Sequence, residues 1–299
     1  MQPSVGVPTR ERRRELGVRL LTASVAIPAT LACAIAGGVW FKGFVFVIAL
    51  MAAAELALLL PPGNRVASVG VACLAAAAFP ISVAIGRGEV AWWLLGAATV
   101  AGLAFAVSTE LDVRRVPDAA DGKPVPLPRT GGGEITRWAL ALAGGLYVGT
   151  LLAPGIALRE RPDGLAWVAL ILAGTWACDS AAYVVGRRWG RHRFASAISP
   201  NKSLEGVAGG LLACVAVAAA GAGALGVNVP RAIGLGLVVG LASVLGDLVE
   251  SSLKRSLGAK DSGWIMPGHG GMLDRIDSLL FSGFLGYLYI TGTDGMFYA

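Results

Sequence analysis

Long apolar segments recur along almost the whole chain, and they restrict its fold more than any other feature. A helix needs about 20 predominantly apolar residues to cross the hydrocarbon core of a bilayer. The sequence contains nine runs that approach or reach this length, separated mostly by short polar connections. No single water-soluble core could bury so many of them. They lie at about 16–40, 43–62, 66–86, 90–109, 136–157, 164–186, 204–226, 231–253 and 275–292.

The composition excludes other broad classes of protein. Of the 299 residues, 55% are hydrophobic and 15% are charged, whereas a disordered chain would combine low hydrophobicity with high net charge. Four cysteines are too few for a disulfide-stapled secreted domain, and alternation at period two, typical of membrane barrels, is missing from the sequence. The 42 glycines, including the pair Gly209 and Gly210, suit close helix packing in lipid. We therefore predict an all-α polytopic integral membrane protein with about nine transmembrane helices.

Lysine and arginine predict the orientation of these helices. With the N-terminus in the cytoplasm, 20 of the 25 basic residues fall on the cytoplasmic side, which is a strong positive-inside bias. The net charge of +6 then describes that face and its attraction to anionic lipid, so nucleic acid is not an expected partner. No transit sequence is evident, and the Ala, Gly and Arg bias suits a GC-rich bacterium. We predict a multi-pass protein of the bacterial inner membrane.

The sequence divides into four segments of different character. Residues 1–15 are predicted to be a polar cytoplasmic tail, and 16–110 to form four N-terminal membrane helices. Residues 111–134 read as a cytoplasmic connector loop, and 135–299 as a membrane domain of five helices. Glu55 is the exceptional ionisable residue within the first four helices, and we favour a structural or peripheral role for it over a functional one. The chemistry is therefore expected in the C-terminal domain.

Charged residues and glycines are densest between residues 246 and 278. On a helix, Asp247, Glu250 and Lys254 share one face, and Asp274 and Asp277 are again three residues apart. A glycine-rich hydrophilic loop with further cations joins the two groups. Carboxylate pairs beside such a loop suit a metal-assisted reaction at a phosphate, because hard oxygen ligands select Mg²⁺. For any single residue, the alternative of an interfacial anchor paired with a nearby cation stays open.

A longer pattern covers the same region without a gap. Two shorter motifs precede it, at 179–187 and at 199–206. Together the three resemble the phosphatidate cytidylyltransferases, also called CDP-diacylglycerol synthases, over roughly residues 140–290. The positions that carry the longer pattern are Ser251, Leu253, Lys254, Arg255, Lys260, Asp261, Pro267, His269, Gly270, Gly271, Met272, Asp274, Arg275, Ile276 and Asp277.

The resemblance implies a nucleotidyltransferase that converts CTP and phosphatidate into CDP-diacylglycerol and pyrophosphate. The active site would face the cytoplasm at the ends of the C-terminal helices. Asp247, Asp274 and Asp277 would be catalytic metal ligands for one or two divalent cations, Mg²⁺ first, with a monovalent ion as a further candidate. Lys254 and Lys260 would complete the catalytic set by holding phosphates. Substrate contacts are expected from Asp179, Lys202, Ser203, Glu205, Arg255, Asp261, His269, Gly270, Gly271 and Arg275.

Three other functions agree with parts of the pattern. An ion- or proton-coupled transporter would place its charges near the bilayer midplane and show repeated halves, whereas these acids cluster towards one face and in one half. A CDP-alcohol phosphotransferase would carry an Asp-Gly-x-x-Ala-Arg pattern, which the sequence lacks. A non-catalytic structural partner would not need the full set of aspartates and lysines. The small-residue helix faces would permit a homodimer.

Overall fold

Helices account for the fold of the part of the chain that the structure describes. The structure is a computed structural model that describes residues 9–60, 63–87, 133–195, 199–263, 265–266 and 270–293. Within these ranges there are eight helices and two isolated β-bridges but no strand. The helices are α1 (Thr9–Ala36), α2 (Gly38–Leu58), α3 (Arg65–Ala84), α4 (Gly133–Arg159), α5 (Gly164–Trp189), α6 (Leu204–Leu225), α7 (Val229–Ser256) and α8 (Leu273–Gly292).

The membrane character of the fold is confirmed in outline. Six of the described helices, α2 to α7, are long and apolar enough to cross a membrane. The predicted fourth span at 90–109 and nearly all of the connector loop lie outside the described residues. α1 begins at Thr9, so part of the predicted polar tail is helical. α1 and α2 meet at Gly37, earlier than predicted, because its φ of 63° interrupts the helix within a continuous apolar run.

Small residues bring neighbouring helices into close contact. α3 packs against α4, α5 against α6, and α7 against α8. A Cβ atom at Gly145 or Gly149 of α4 would collide with backbone carbonyl groups of α3. At Gly209 and Gly210 of α6, a Cβ atom would crowd side chains and backbone of α5. The packing role predicted for this last pair is therefore confirmed.

Capping residues fix where two of the C-terminal helices begin. The Ser203 side chain accepts a hydrogen bond from the backbone N–H of Gly206 at 3.2 Å, at the start of α6. The Asn228 side chain accepts one from the backbone N–H of Arg231 at 3.0 Å, at the start of α7. Both satisfy donors that a helix leaves unpaired at its N-terminus. The loop between α5 and α6 is thereby anchored at its second end.

A buried apolar cluster joins the N-terminal half of the chain to the start of α8. It contains Leu56 of α2, Val148 of α4, and Leu273, Ile276 and Leu280 of α8, each at most 5% exposed. Burial of such side chains is worth roughly 1.5–3 kcal/mol each. The start of α8, which carries the predicted catalytic residues Asp274 and Asp277, is thus packed directly against α2 and α4.

Candidate active site

Acidic side chains from three helices line a single cavity of about 1030 Å³. They are Asp179 of α5, Asp247 of α7, and Asp274 and Asp277 of α8. Lys202, from the loop that precedes α6, lines the same cavity. Four carboxylates that share one cavity repel one another unless cations balance them. The cavity is therefore built to hold positive charge beside its acids.

Lys202 supplies part of that positive charge. Its Nζ lies 2.8 Å from Oδ2 of Asp247 and 3.4 Å from the carbonyl oxygen of Val244. The other oxygen of Asp247, Oδ1, accepts a hydrogen bond from the Ser251 hydroxyl at 3.2 Å, one turn further along α7. Asp247 is thus held on both sides, and the ion pair ties the loop before α6 to α7.

Hydrogen bonds from serines orient Asp179 and Asp277. The hydroxyl of Ser243 donates to Oδ1 of Asp179 at 2.8 Å, and that of Ser278 donates to the same oxygen at 3.4 Å. The backbone N–H of Ser278 donates to Oδ1 of Asp277 at 2.7 Å. The charges of Asp247 and Asp179 both act on Asp277. The three carboxylates therefore form one repulsive group within the cavity.

Asp274 accepts more hydrogen bonds than any of the other three aspartates. Its Oδ1 accepts from Nζ of Lys254 at 2.5 Å. Its Oδ2 accepts from the Ser262 backbone N–H at 2.8 Å, the Ser262 hydroxyl at 2.9 Å and the Gly271 backbone N–H at 2.9 Å. Lys254 also donates to Oε1 of the fully buried Glu250 at 2.9 Å. The ionic triad Glu250–Lys254–Asp274 thus joins α7 to α8 and to the loop between them.

Hydrogen bonding determines the charge of Asp274, which lies ahead of the apolar run of α8. Burial by itself would raise the pKa of this carboxyl group, but the hydrogen bonds from Lys254, Gly271 and Ser262 outweigh it and hold the pKa below its ordinary value. Asp274 is therefore an anion at neutral pH. The stability that it contributes is present above the pKa of the unfolded state and is lost as the pH falls through the lower pKa of the folded state.

Three further predicted residues lie beside the cavity or support its walls. Arg275 lines the cavity and is exposed. The Ser203 hydroxyl, buried at the start of α6, is used as a helix cap. Glu205 accepts hydrogen bonds from the backbone N–H groups of Arg191 and His192, and Nδ1 of His192 lies 2.6 Å from its Oε1. Glu205 therefore shapes the loop that carries Lys202.

The remaining predicted residues are placed away from the cavity or outside the described residues. Arg255, Lys260 and Asp261 are exposed and do not line the cavity. Gly270 has a φ of 83°, a left-handed conformation that favours glycine and turns the chain towards α8. His269 lies outside the described residues. The roles predicted for these residues in substrate binding stay predictions.

The carboxylate oxygens in the cavity fit a divalent cation that is shared with a substrate. Among the described residues, no three His, Cys, Asp or Glu side chains stand together as a complete protein site. Mg²⁺ is usually bound by one or two carboxylates together with substrate phosphates. Asp247 and Asp277 line the cavity with only two contacts and one contact, respectively, to other described residues, whereas Asp274 accepts four hydrogen bonds. The fit is therefore better for Asp247 and Asp277 than for Asp274.

Gly246 allows α7 to approach α8 at this site. A Cβ atom there would collide with the carbonyl oxygen of Asp277 and would lie 3.2 Å from Phe281. We expect Gly246→Ala to lower the free energy of unfolding by about 1–3 kcal/mol, as measured by thermal unfolding in detergent. Gly283→Ala, on α8 with open space around its Cα atom, is the matched control and should be neutral or slightly stabilising. Equal losses in the two variants would contradict the packing argument.

The comparison with known families decides what kind of protein carries this site. Residues 17–292 match the model of a family that is described as the cytidylyltransferase family. The chain belongs to the cytidylyltransferase family. The match covers both the N-terminal helices and the C-terminal domain, so α2 and α3 are part of the family's common structure. The resemblance found in the C-terminal motifs is thereby confirmed and extended.

The curated proteins similar to this chain include three phosphatidate cytidylyltransferases. That of Staphylococcus aureus (strain COL) is 42% identical over 125 residues, which are 41% of this chain and 48% of the relative. That of Staphylococcus epidermidis (strain ATCC 12228 / FDA PCI 1200) is 41% identical over 125 residues, with the same two coverages of 41% and 48%. That of Brucella suis biovar 1 (strain 1330) is 39% identical over 168 residues, 52% of this chain and 60% of the relative. The chain thus spans about half the length of the curated relatives it matches.

Ser262 and Glu55 are two of the residues at this site that sequence reasoning missed. Ser262 donates to Asp274 through both its backbone N–H and its hydroxyl. Glu55 contacts Ser262 although the two residues are 207 positions apart. A serine in a polar loop carries no signal of its own. For Glu55 the signal was its position in an apolar helix, where a carboxylate is costly unless it has a partner.

Proposed function

We propose that the chain is a phosphatidate cytidylyltransferase that transfers CMP from CTP to phosphatidate, giving CDP-diacylglycerol and pyrophosphate. Family membership and the names of the similar proteins support the class of reaction. The observation that carries the proposal is the single cavity in which Asp247, Asp277 and Lys202 face an apolar wall. Such a cavity suits a reaction between a nucleotide and a lipid phosphate.

Helices outside the predicted catalytic domain make part of the apolar wall. Val25 of α1, Phe44 and Ile48 of α2, and Trp176 of α5 line the cavity beside the charged cluster. Apolar lining with a few convergent polar groups is the usual composition of a small-molecule site. In the proposed complex, the acyl chains of phosphatidate lie along this wall while the phosphate reaches Lys202.

The proposed reaction is a displacement at the α-phosphorus of CTP. An oxygen of the lipid phosphate forms the new P–O bond, and the bond to the bridging oxygen breaks as pyrophosphate leaves with the electron pair. A phosphomonoester is largely ionised at neutral pH, so the attacking oxygen needs no general base. Such a transfer depends on positioning and on stabilisation of charge. Lys202 and Arg275 supply the positive charge that would hold phosphates in the cavity.

We propose that Asp247 and Asp277 hold a divalent cation, Mg²⁺ first, together with the phosphates of CTP. When bound, the cation would neutralise charge on the phosphoryl oxygens. Asp274 would keep Lys254 and the loop after α7 in place through its four hydrogen bonds. Asp179, which accepts hydrogen bonds from two serines, would orient the two aspartate ligands or be a further ligand of the cation.

We propose that the site opens to the cytoplasmic side of the bacterial inner membrane. The last turn of α5 carries Arg187 and Arg188, and the last turn of α7 carries Lys254 and Arg255. Asp179 and Asp247 lie in the C-terminal halves of these same helices. Positive charge at one end of membrane helices favours the cytoplasmic side. A homodimer through small-residue faces stays a prediction, which cross-linking in native membranes would test.

Turnover of radiolabelled CTP in detergent micelles tests the proposed function. We expect labelled lipid to form when phosphatidate and Mg²⁺ are both present, because the lipid phosphate is the attacking group. Removal of the cation with EDTA should abolish the product, and added Mg²⁺ should restore it. Diacylglycerol, which lacks the phosphate, is the matched substrate control and should give no product. Wild-type protein that elutes as a folded species but makes no CDP-lipid would contradict the proposal.

A further inference from the structure

Glu55 is a buried carboxylate to which the proposed reaction assigns no role. It lies in the last turn of α2, in the N-terminal half of the chain, and is 1% exposed. Its neighbours on the helix include Ala52 and Ala53, both fully buried. A carboxylate in such surroundings is costly unless other groups hydrogen-bond to it. The contacts of Glu55 should therefore explain why a carboxylate, and not an apolar side chain, occupies this position.

The contacts of Glu55 come from the loop after α7 and from the start of α8. Its Oε2 accepts a hydrogen bond from the backbone N–H of Leu273 at 2.9 Å and lies 3.2 Å from the hydroxyl of Ser262. α8 begins at Leu273, and the side chain of its N-cap residue, Met272, makes no capping hydrogen bond. Glu55 thus caps α8 from another helix, where the dipole of α8 also favours negative charge.

Two glycines of the loop leave the space that Glu55 occupies. A Cβ atom at Gly263 would lie 2.8 Å from Oε1 of Glu55, and one at Gly271 would collide with Oε2 of Glu55 and with the Ser262 hydroxyl. Oε1 has no hydrogen-bond partner among the described residues. The loop therefore closes directly over the carboxylate.

Ser262 connects this contact to Asp274. Its hydroxyl lies 3.2 Å from Oε2 of Glu55 and 2.9 Å from Oδ2 of Asp274, and it accepts a hydrogen bond from the backbone N–H of Asp274 at 3.3 Å. One hydroxyl proton serves the two carboxylates, so displacement of either carboxylate changes the hydrogen bond to the other. Asp274 in turn holds Lys254.

We infer that Glu55 is a positioning residue of the site: from α2 it caps α8 and, through Ser262, fixes the loop and the orientation of Asp274. The inference assigns to the N-terminal half of the chain a task in the geometry of the C-terminal site. It rests on the proposed function only for its kinetic consequence. The contact between Glu55 and the start of α8 can be measured by amide hydrogen exchange, which does not depend on activity.

Glu55→Ala and Glu55→Gln separate positioning from a general effect on the fold. Alanine removes the acceptor for Leu273, whereas glutamine keeps one carbonyl oxygen that can accept the same hydrogen bond. In Glu55→Ala we expect the backbone amides of Ser262, Gly271 and Leu273 to exchange with solvent at least about tenfold faster, with α5 and α6 unchanged. We expect kcat for CDP-lipid formation to fall about tenfold or more, with little change in KM for CTP. Glu55→Gln should recover most of both.

The controls keep the inference open to contradiction. Glu160→Ala removes an exposed carboxylate that pairs with Lys42, and it should alter neither the exchange of this loop nor kcat. If Glu55→Ala does not fold, Gly271→Ala is the substitute test. Its added methyl group would displace Glu55 from the loop side and should reproduce the faster local exchange. Faster exchange spread over all helices, or wild-type exchange in both variants, overturns the inference. A third outcome separates the two proposals. If Glu55→Ala shows the expected local exchange but the wild type has no cytidylyltransferase activity, the contact is supported and the proposed function is overturned.

Discussion

Asp247→Asn should lower the turnover of CTP on the order of 100-fold. The substitution keeps the size of the side chain but removes the charge that pairs with Lys202 at 2.8 Å. It also removes one of the two carboxylates best placed to share a cation with CTP. The Ser251 hydroxyl can still donate to the remaining carbonyl oxygen, so the fold should be largely retained. Initial rates at saturating phosphatidate, together with the Mg²⁺ concentration for half-maximal rate, measure the effect.

Asp163→Asn is the matched control for this variant. Asp163 lies at the opposite end of α5 from Asp179, where it accepts a hydrogen bond from the Trp167 ring at 2.6 Å. The same chemical change there should leave turnover within about twofold of the wild type, because Asp163 does not line the cavity and its carboxamide can still accept the hydrogen bond from Trp167. If Asp247→Asn turned over CTP at the wild-type rate, the cation and phosphate arrangement proposed for the cavity would be wrong.

Lys254→Met should cost about 3–5 kcal/mol of stability and most of the activity. The ammonium group lies between Glu250 and Asp274, at 2.9 and 2.5 Å, and the Glu250 side chain is fully buried. Removal of the shared cation leaves two carboxylates in or near the interior without their partner, and breaking a buried pair in this way is strongly destabilising. Thermal unfolding in detergent measures the loss, and CTP turnover below the melting temperature measures activity.

Two further variants test whether the buried triad is the cause. Lys260→Met changes an exposed lysine six positions later and should change the free energy of unfolding by no more than about 0.5 kcal/mol. Lys254→Met combined with Glu250→Gln removes one of the two stranded charges, so it should regain part of the stability without regaining activity. An unchanged melting temperature in Lys254→Met would show that the ion pairs contribute nothing to folding.

The role of Lys254 shows how far motif reasoning reaches. Its place in the motif predicted a cation that holds substrate phosphates. In the structure, two carboxylates already engage its Nζ, and the exposed Arg255 and Lys260 do not line the cavity. Spacing along one helix shows which side chains share a face, but not which group on another helix meets them. Two cations do line the cavity, Arg275 from the same motif and Lys202 from a separate one.

Glu55 is a second residue whose contacts could not be predicted from the sequence. Its position in an apolar helix favoured a structural or peripheral role, but its partners, in the loop after α7 and at the start of α8, are more than 200 residues away. No local pattern reports such a contact, because it arises only when α2 packs against the start of α8. The same packing explains why positions 263 and 271 are glycines, because a Cβ atom at either would crowd Glu55. Of the two, only Gly271 belongs to the motif, and the motif does not reveal this reason.

By itself, the sequence determined that this chain is a helical membrane protein and which family it resembles. Hydropathy and motif spacing are properties of consecutive residues, so they can be determined without any knowledge of how the helices pack. Only the tertiary structure decided that Asp179, Asp247 and Asp277 share a cavity with Lys202, and that Asp274 is held by Lys254 and the loop. These assignments depend on the approach of helices distant in sequence, where close packing and the need to pair buried charges select one arrangement.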